Sequence, residues 1–258
     1  MLFHLEGTMI RFFYVFCVVV FSWCHLAWAN NYEDLVQRRL IQKGDKPYLH
    51  LGCGESYIVG AINIDLPIEN RPLHLQNRPD YFYNILDLQF PLNSVAKIEN
   101  HHMFEHFSRP VSIALLCAWT LWMDLDGELV IETPDFENAI KKYIKTPFFQ
   151  NRQVIIRHLF GSHEANWAYH YDGWYYDKFA YVLSKLGFQL TGAEYFSWKD
   201  LDNITIKAKK TRSYSVQQLK EIAYEILKLS CVDSSESEYK MWKGWCADFD
   251  GAIAKMIE

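Results

Sequence analysis

Short apolar runs of strand length alternate with helix-length amphipathic segments through the middle of the chain. Residues 47–51 (PYLHL), 61–66 (AINIDL), 81–85, 96–100 and 128–133 (ELVIET) are brief runs rich in Ile, Leu, Val and Tyr, the pattern of strands. Residues 188–198 and 203–209 are two more β-rich runs, joined by Lys-Asp-Leu-Asp. Helices are predicted at 32–42, after Ser108, from Phe136 and over 177–186. In the second of these Pro110 suits the first turn, and Ile113, Leu116 and Leu121 form a broad apolar surface. Asp126-Gly127 turns the chain, Asp135 can cap the helix from Phe136, and Gly187 closes the last one. Residues 149–174 read as irregular, with dense His, Trp and Tyr.

This order predicts an α/β fold: a mostly parallel sheet with helices on both faces, ending in an antiparallel hairpin. Ligands on such sheets sit at the carboxyl ends of the strands. Past Lys210 two apolar stripes follow. Val216, Leu219, Ala223 and Ile226 make one; Trp242, Phe249, Ile253 and Met256 make the other. They predict a C-terminal helical hairpin at 211–258 that packs onto the main domain at 31–210. A dimer or membrane-surface contact is the alternative.

Residues 1–30 stand apart. Arg11 precedes an apolar run, and Ala27-Trp28-Ala29 has the form of a signal-peptidase site. Cleavage after Ala29 would export the domain. An uncleaved anchor within 9–29 would hold it at a membrane. Arg38, Arg39, Lys43 and Lys46 follow the run, which favours a domain on the cytoplasmic side. Met9 offers an alternative start.

Composition narrows the function classes. Half of the 258 residues are hydrophobic and the formal net charge is −5, so the chain is globular and carries no basic footprint for nucleic acid. No CxxC occurs, which argues against a thiolate zinc site.

The candidate chemistry falls at strand ends. His50-Leu51-Gly52-Cys53-Gly54-Glu55 closes the first strand with Gly-x-Gly, which lets a ligand approach backbone and exposes amides there. Residue 57 is Tyr, so the dinucleotide fingerprint is incomplete, and the Gly-Lys-Ser/Thr of a phosphate loop is missing. Asp65 ends the second strand, where a carboxylate can accept hydrogen bonds from both hydroxyls of a ribose. Asp87 follows the third and can reach an exocyclic amine, with Leu88 placed to pack on a ring.

The series LHLGCGES, INIDL, DLQFPLNSVAKIENHHMFEH and AWTLWMDLDGELVIETPDFE resembles the class I S-adenosylmethionine-dependent methyltransferases. It is similar in particular to small methyltransferases with a Ser-His-Val-Leu-Glu-His type segment after the fourth strand. The resemblance spans residues 47–209. It implies a Rossmann-like seven-stranded sheet with an antiparallel last strand, and S-adenosylmethionine as the cofactor. It further implies that Gly52 and Gly54, flanked by Leu51 and Cys53, approach the methionine part, that Asp65 with Leu66 holds the ribose, and that Asp87 with Leu88 receives the adenine. His102 would border the donor and substrate cavity. Two departures stand out. Ala61 comes only nine positions after Gly52, too few for an ordinary crossover helix, so that helix must be truncated or nearly absent. The family's Glu-Trp-x-Arg and Pro-Gly turn is replaced by residues 118–127.

His102-x-x-Glu105-His106 also spells an inverted zinc-peptidase pattern, the third class of function weighed. That class leaves Gly52, Asp65 and Asp87 without a role. Residues 157–174 can fold over the strand ends as a lid. His163 and His170 within it are candidate bases, since methyl transfer to a hydroxyl or acidic amine gains from a group titrating near neutrality. The expected function is methyl transfer to O or N of a small-molecule or glycan-like acceptor, with no resident metal. The alternative is a catalytically inactive binding or scaffold protein of the same fold.

Overall fold

The computed structural model describes residues 30–67 and 78–257. The N-terminal run at 9–29, with its signal and anchor readings, lies outside them. Among the described residues, seven strands stand: β1 (Tyr48–Leu51), β2 (Ile62–Asp65), β3 (Tyr81–Phe82), β4 (Val95–His101), β5 (Met123–Pro134), β6 (Phe188–Trp198) and β7 (Leu201–Lys210). They form one sheet in the order β3-β2-β1-β4-β5-β7-β6. Pairing is parallel from β3 across to β5, and β7 runs antiparallel to both β5 and β6. This is the sheet the resemblance implied.

Register sorts the side chains into two unlike faces, because paired residues point the same way and neighbours along a strand point oppositely. Leu49, Ile98, Leu129 and Ala208 are partners in one row, and Ile131 and Ile206 in the next. None is more than 1% exposed. The other face carries His50, Glu99, Val130 and Lys207 in one row and His101, Glu132, Thr205 and Glu194 in the next. One face is mostly hydrocarbon, with buried Asn100 beside Ile131 and buried Thr133 beside Ile204; the other is mostly charged.

The helices are α1 (Asn31–Gln37), α2 (Arg109–Trp122), α3 (Phe136–Lys145), α4 (Phe149–Phe160), α5 (Tyr176–Lys185), α6 (Val216–Lys228) and α7 (Glu236–Ile257). Residues of α1, α2, α5, α6 and α7 join the apolar rows in one core. The C-terminal hairpin α6–α7 packs on the main domain, as its stripes predict: Leu219, Phe249, Ile253 and Met256 are fully buried, and Trp122 donates from Nε1 to the Met256 carbonyl at 3.2 Å.

Four local expectations change. Residues 149–160 are helical, not irregular; only Ile155 of α4 is buried, so no apolar stripe marks it. The helix expected over 32–42 stops at Gln37, and Arg39 turns with φ +61°. The third strand is two residues long, and a 3-10 turn (Ile85–Asp87) follows, capped by Asn84. Asp126-Gly127 does not separate two elements but forms a bulge inside β5: Val95 pairs with Met123, whereas Lys97 pairs with Glu128.

The short crossover between β1 and β2 contains no helix, as expected from its length. Asn63 holds it instead. Its side chain is fully buried, accepts from the Ile58 amide at 2.9 Å, and donates to the Ile58 and Ala61 carbonyls at 3.0 and 3.2 Å. It also donates to Asp80 at 2.9 Å. One amide thereby satisfies loop backbone that a helix would have satisfied internally.

Two stability outcomes follow. Asn63→Ala leaves several buried groups unpaired and should cost about 2–4 kcal/mol in urea denaturation; a change within error would show that the loop is held otherwise. Phe249→Ala should cost about 3–5 kcal/mol, whereas a hairpin docked only loosely would lose far less.

Candidate functional site

The tips of β1, β2 and β3 adjoin, so the three stations named from sequence come together. Gly52 follows β1 with φ +66°, and a Cβ there would lie 2.4 Å from Met103 Cγ, so only glycine fits. The Gly54 amide donates to Asp65 Oδ2 at 2.8 Å, across the ends of β1 and β2. Asp65 Oδ1 accepts from the Leu66 amide at 2.7 Å. Ile85, in the turn after β3, is 3.8 Å from the Cβ position of Gly52, and Asp87 in the same turn is exposed with its carboxylate accepting from Asn84 at 2.8 Å.

These tips suit an adenosyl group in part. Gly54 has φ +53°, and among the described residues nothing lies within 4 Å of a Cβ placed there, so backbone is approachable beside the Asp65 carboxylate. Two expectations are corrected. The amides of Gly52 and Cys53 are not turned outward: both donate to the Ile64 carbonyl, at 2.9 and 3.2 Å. Leu88 is fully buried in the core and offers no side-chain surface to a ring, because the 3-10 turn rotates it inward beside Ile85.

A chain of alternating charges runs from the polar sheet face into the tip of β4. Lys97 Nζ is 2.7 Å from Glu99 Oε2, and Glu99 Oε1 is 2.8 Å from His101 Nε2. His101 Nδ1 is 3.0 Å from Glu132 Oε2, and Glu132 Oε1 is 3.3 Å from His102 Nε2. His102 Nδ1 then reaches Glu105 Oε1 at 3.2 Å. Tyr48 donates to Glu99, and Thr205 donates to Glu132 at 3.1 Å. Bonds to Glu132 and Glu99 raise His101 to about 9. Burial works against charge on His102, but its bonds to Glu105 and Glu132 outweigh burial and raise it to about 10. Burial likewise opposes charge on Glu99, yet His101, Lys97 and Tyr48 hold it at about 2, and the two imidazoles hold Glu132 well below the usual carboxylate range.

The segment after α4 folds back onto this tip. Gly161 and Tyr169 form an antiparallel bridge, the Tyr171 amide donates to the Glu105 carbonyl at 2.9 Å, and His106 Nδ1 is 3.0 Å from the Tyr169 carbonyl. These bonds bring His170 to Glu105, with Nε2 4.0 Å from Oε1. Burial lowers His170 to about 4, so its ring is neutral at neutral pH.

The three candidate histidines therefore separate. His102 and His170 converge on Glu105. His163 does not: it stacks on Tyr169 with ring centroids 4.2 Å apart, and its Nε2 is 2.8 Å from the Phe160 carbonyl. His102 is held protonated and cannot accept a proton near neutrality. Nor does His102-x-x-Glu105-His106 present two histidines on one helical face. His102 lies at φ +49° before a three-residue 3-10 turn (Phe104–His106), and both its nitrogens face carboxylates. Glu99 and His101 were missed from sequence. Their signal is the period-two polar alternation of Lys97, Glu99 and His101, repeated by Glu128 and Glu132 in the neighbouring strand.

No protein-family profile and no curated protein sequence matches this chain. Solved structures do. A methyltransferase dependent on S-adenosylmethionine from Archaeoglobus fulgidus is 15% identical, with a TM-score of 0.47 over 69% of this chain and 91% of that one. One from Methanosarcina mazei is 14% identical, with a TM-score of 0.45 over 68% and 97%. The 1,6-didemethyltoxoflavin-N1-methyltransferase of Burkholderia thailandensis, solved with 1,6-didemethyltoxoflavin and S-adenosylhomocysteine, is 12% identical, with a TM-score of 0.44 over 65% and 72%.

The charge chain gives a pH signature. His101 and His102 have folded values above the ordinary 6.5, so their contribution to stability is complete below about pH 6.5 and is lost as pH rises through about 9–10. Urea denaturation at stepped pH should show stability falling over that window, and His101→Gln should flatten the fall. An equal slope in the variant would remove His101 from the account.

Proposed function

We propose that the chain binds S-adenosylmethionine at the tips of β1–β3 and transfers its methyl group to O or N of a small-molecule or glycan-like acceptor. The observation that carries this is the Asp65 carboxylate, bonded to the Gly54 amide across two strand tips and placed beside approachable glycine backbone. The donor supplies an electrophilic methyl on sulfur. The protein's part is alignment and exclusion of water. Asp65 is assigned to the ribose, and Asp87, exposed at the neighbouring tip, to the adenine side. His102 and His170 converge on Glu105 at the tip of β4, where the first donates hydrogen bonds as an imidazolium and the second is neutral.

Titration calorimetry with S-adenosylhomocysteine tests the donor site. The wild-type chain should bind, and Asp65→Ala should bind at least about tenfold more weakly, as expected for losing hydrogen bonds to a charged acceptor. Absence of heat at millimolar ligand with folded protein would remove the reading.

A second reading, a fold kept for binding without transfer, draws on the inward bonding of the Gly52 and Cys53 amides and the burial of Leu88. It predicts no S-adenosylhomocysteine product across a panel of hydroxyl and amine acceptors.

No helix among the described residues is long and apolar enough to cross a membrane. For the run at 9–29 we propose an anchor with the domain on the cytoplasmic side, where the donor is made; the basic residues after the run support it. Mass spectrometry of the mature N-terminus tests this, and Asn30 as first residue would mean cleavage and export.

A further inference from the structure

At the end of the charge chain, Glu105 meets two further side chains that belong neither to the chain nor to the sheet. Glu105 is 2% exposed on its 3-10 turn. His106 follows it directly, and His170 arrives from the folded-back segment. One donor atom from each of the three lies within 4.8 Å of the others. The two imidazoles meet edge to face with centroids 4.8 Å apart. Among the described residues, Glu105 Oε2 is buried and has no hydrogen-bond partner. A buried carboxylate oxygen left unpaired is costly, so its retention asks for a partner of another kind.

We propose that Glu105, His106 and His170 form a binding site for a first-row divalent transition-metal ion. The tautomer of His106 supports it. The Tyr169 carbonyl can only accept, so His106 Nδ1 carries a proton, which leaves Nε2 as the ring atom able to ligate. A second bond of this kind, fixing the ring from behind, is what metal-binding histidines ordinarily have. Two imidazoles and one carboxylate suit zinc, cobalt, iron or manganese better than magnesium or calcium, which prefer oxygen throughout. With metal–ligand bonds of about 2.1 Å, neighbouring donors stand about 3.0–3.4 Å apart, so the widest-spaced of them, up to 4.8 Å apart, must close by roughly 1.5 Å. Three protein ligands leave coordination positions open on the partly exposed side formed by His106 and His170, available to water or to an oxygen of a bound ligand. His102 stays outside the site, since both its nitrogens face carboxylates. The ion would also tie the segment carrying His170 to the tip of β4, adding a metal link to the backbone bonds at Tyr169 and Tyr171.

The experiment titrates Co2+ into the full chain after chelator treatment, without donor or acceptor, and follows the visible ligand-field bands. One equivalent should bind, and Zn2+ should displace it. His106→Asn and His170→Asn should each weaken binding at least about tenfold while far-ultraviolet dichroism stays unchanged. His106 is the more informative position, because it is partly exposed. Glu105→Gln is the weaker test, since it also releases His102. No bands at millimolar Co2+, or bands that persist unchanged in both histidine variants, would overturn the proposal. The readout involves no S-adenosyl ligand, so its failure is distinct from failure of the donor site.

Discussion

The alternation of cations and anions from Lys97 to Glu105 is the constraint on which the rest of this structure depends. Its first two carboxylates are each shared between two cations: Glu99 between Lys97 and His101, Glu132 between His101 and His102. Two protonated histidines adjacent in sequence would repel if they shared an environment. Here the strand sends His101 to the sheet face, and φ +49° at His102 ends the strand alternation, so that the two reach different oxygens of Glu132, Oε2 and Oε1. Removing one member strands a partly buried charge, which costs more than the pair contributes. The chain therefore fixes the tip of β4 as a unit.

That unit also accounts for the two-faced sheet. A mostly parallel sheet ordinarily buries both faces under helices and reads as continuous hydrocarbon. Here the apolar rows gather α1, α2, α5, α6 and α7, and the opposite rows satisfy one another through ion pairs within and across strands. The crossover from β1 to β2 is correspondingly short, and Asn63 supplies from one side chain the hydrogen bonds that loop backbone needs. The same shortness keeps Gly54 next to Asp65, so an economy in the loop and the placement of the candidate donor site are one feature.

The histidines show how environment divides identical side chains. His102, between two carboxylates, is an imidazolium; His170, buried beside Glu105 and edge to face with His106, is neutral; His163, on the outer surface of its segment, stacks on a tyrosine. Sequence alone could name all three as chemically useful. It could not say which would be charged, because charge depends on partners as distant in sequence as Glu132 and Glu105.

The amphipathic pattern by itself determined the order of strands and helices, the packing of the terminal hairpin, the missing crossover helix and the strand-end positions of Gly52, Asp65 and Asp87, because alternation, apolar stripes and loop length are local properties that burial must respect. It missed α4, which buries one residue and so leaves no stripe, and it misplaced Leu88, whose direction is set by a 3-10 turn that periodicity does not encode. Only the tertiary structure decided the charge chain and the meeting of Glu105, His106 and His170. Those depend on register between β4 and β5 and on a segment folding back across more than sixty residues to bond the turn at Glu105, and such contacts join positions whose separation along the chain carries no signal of their nearness in space.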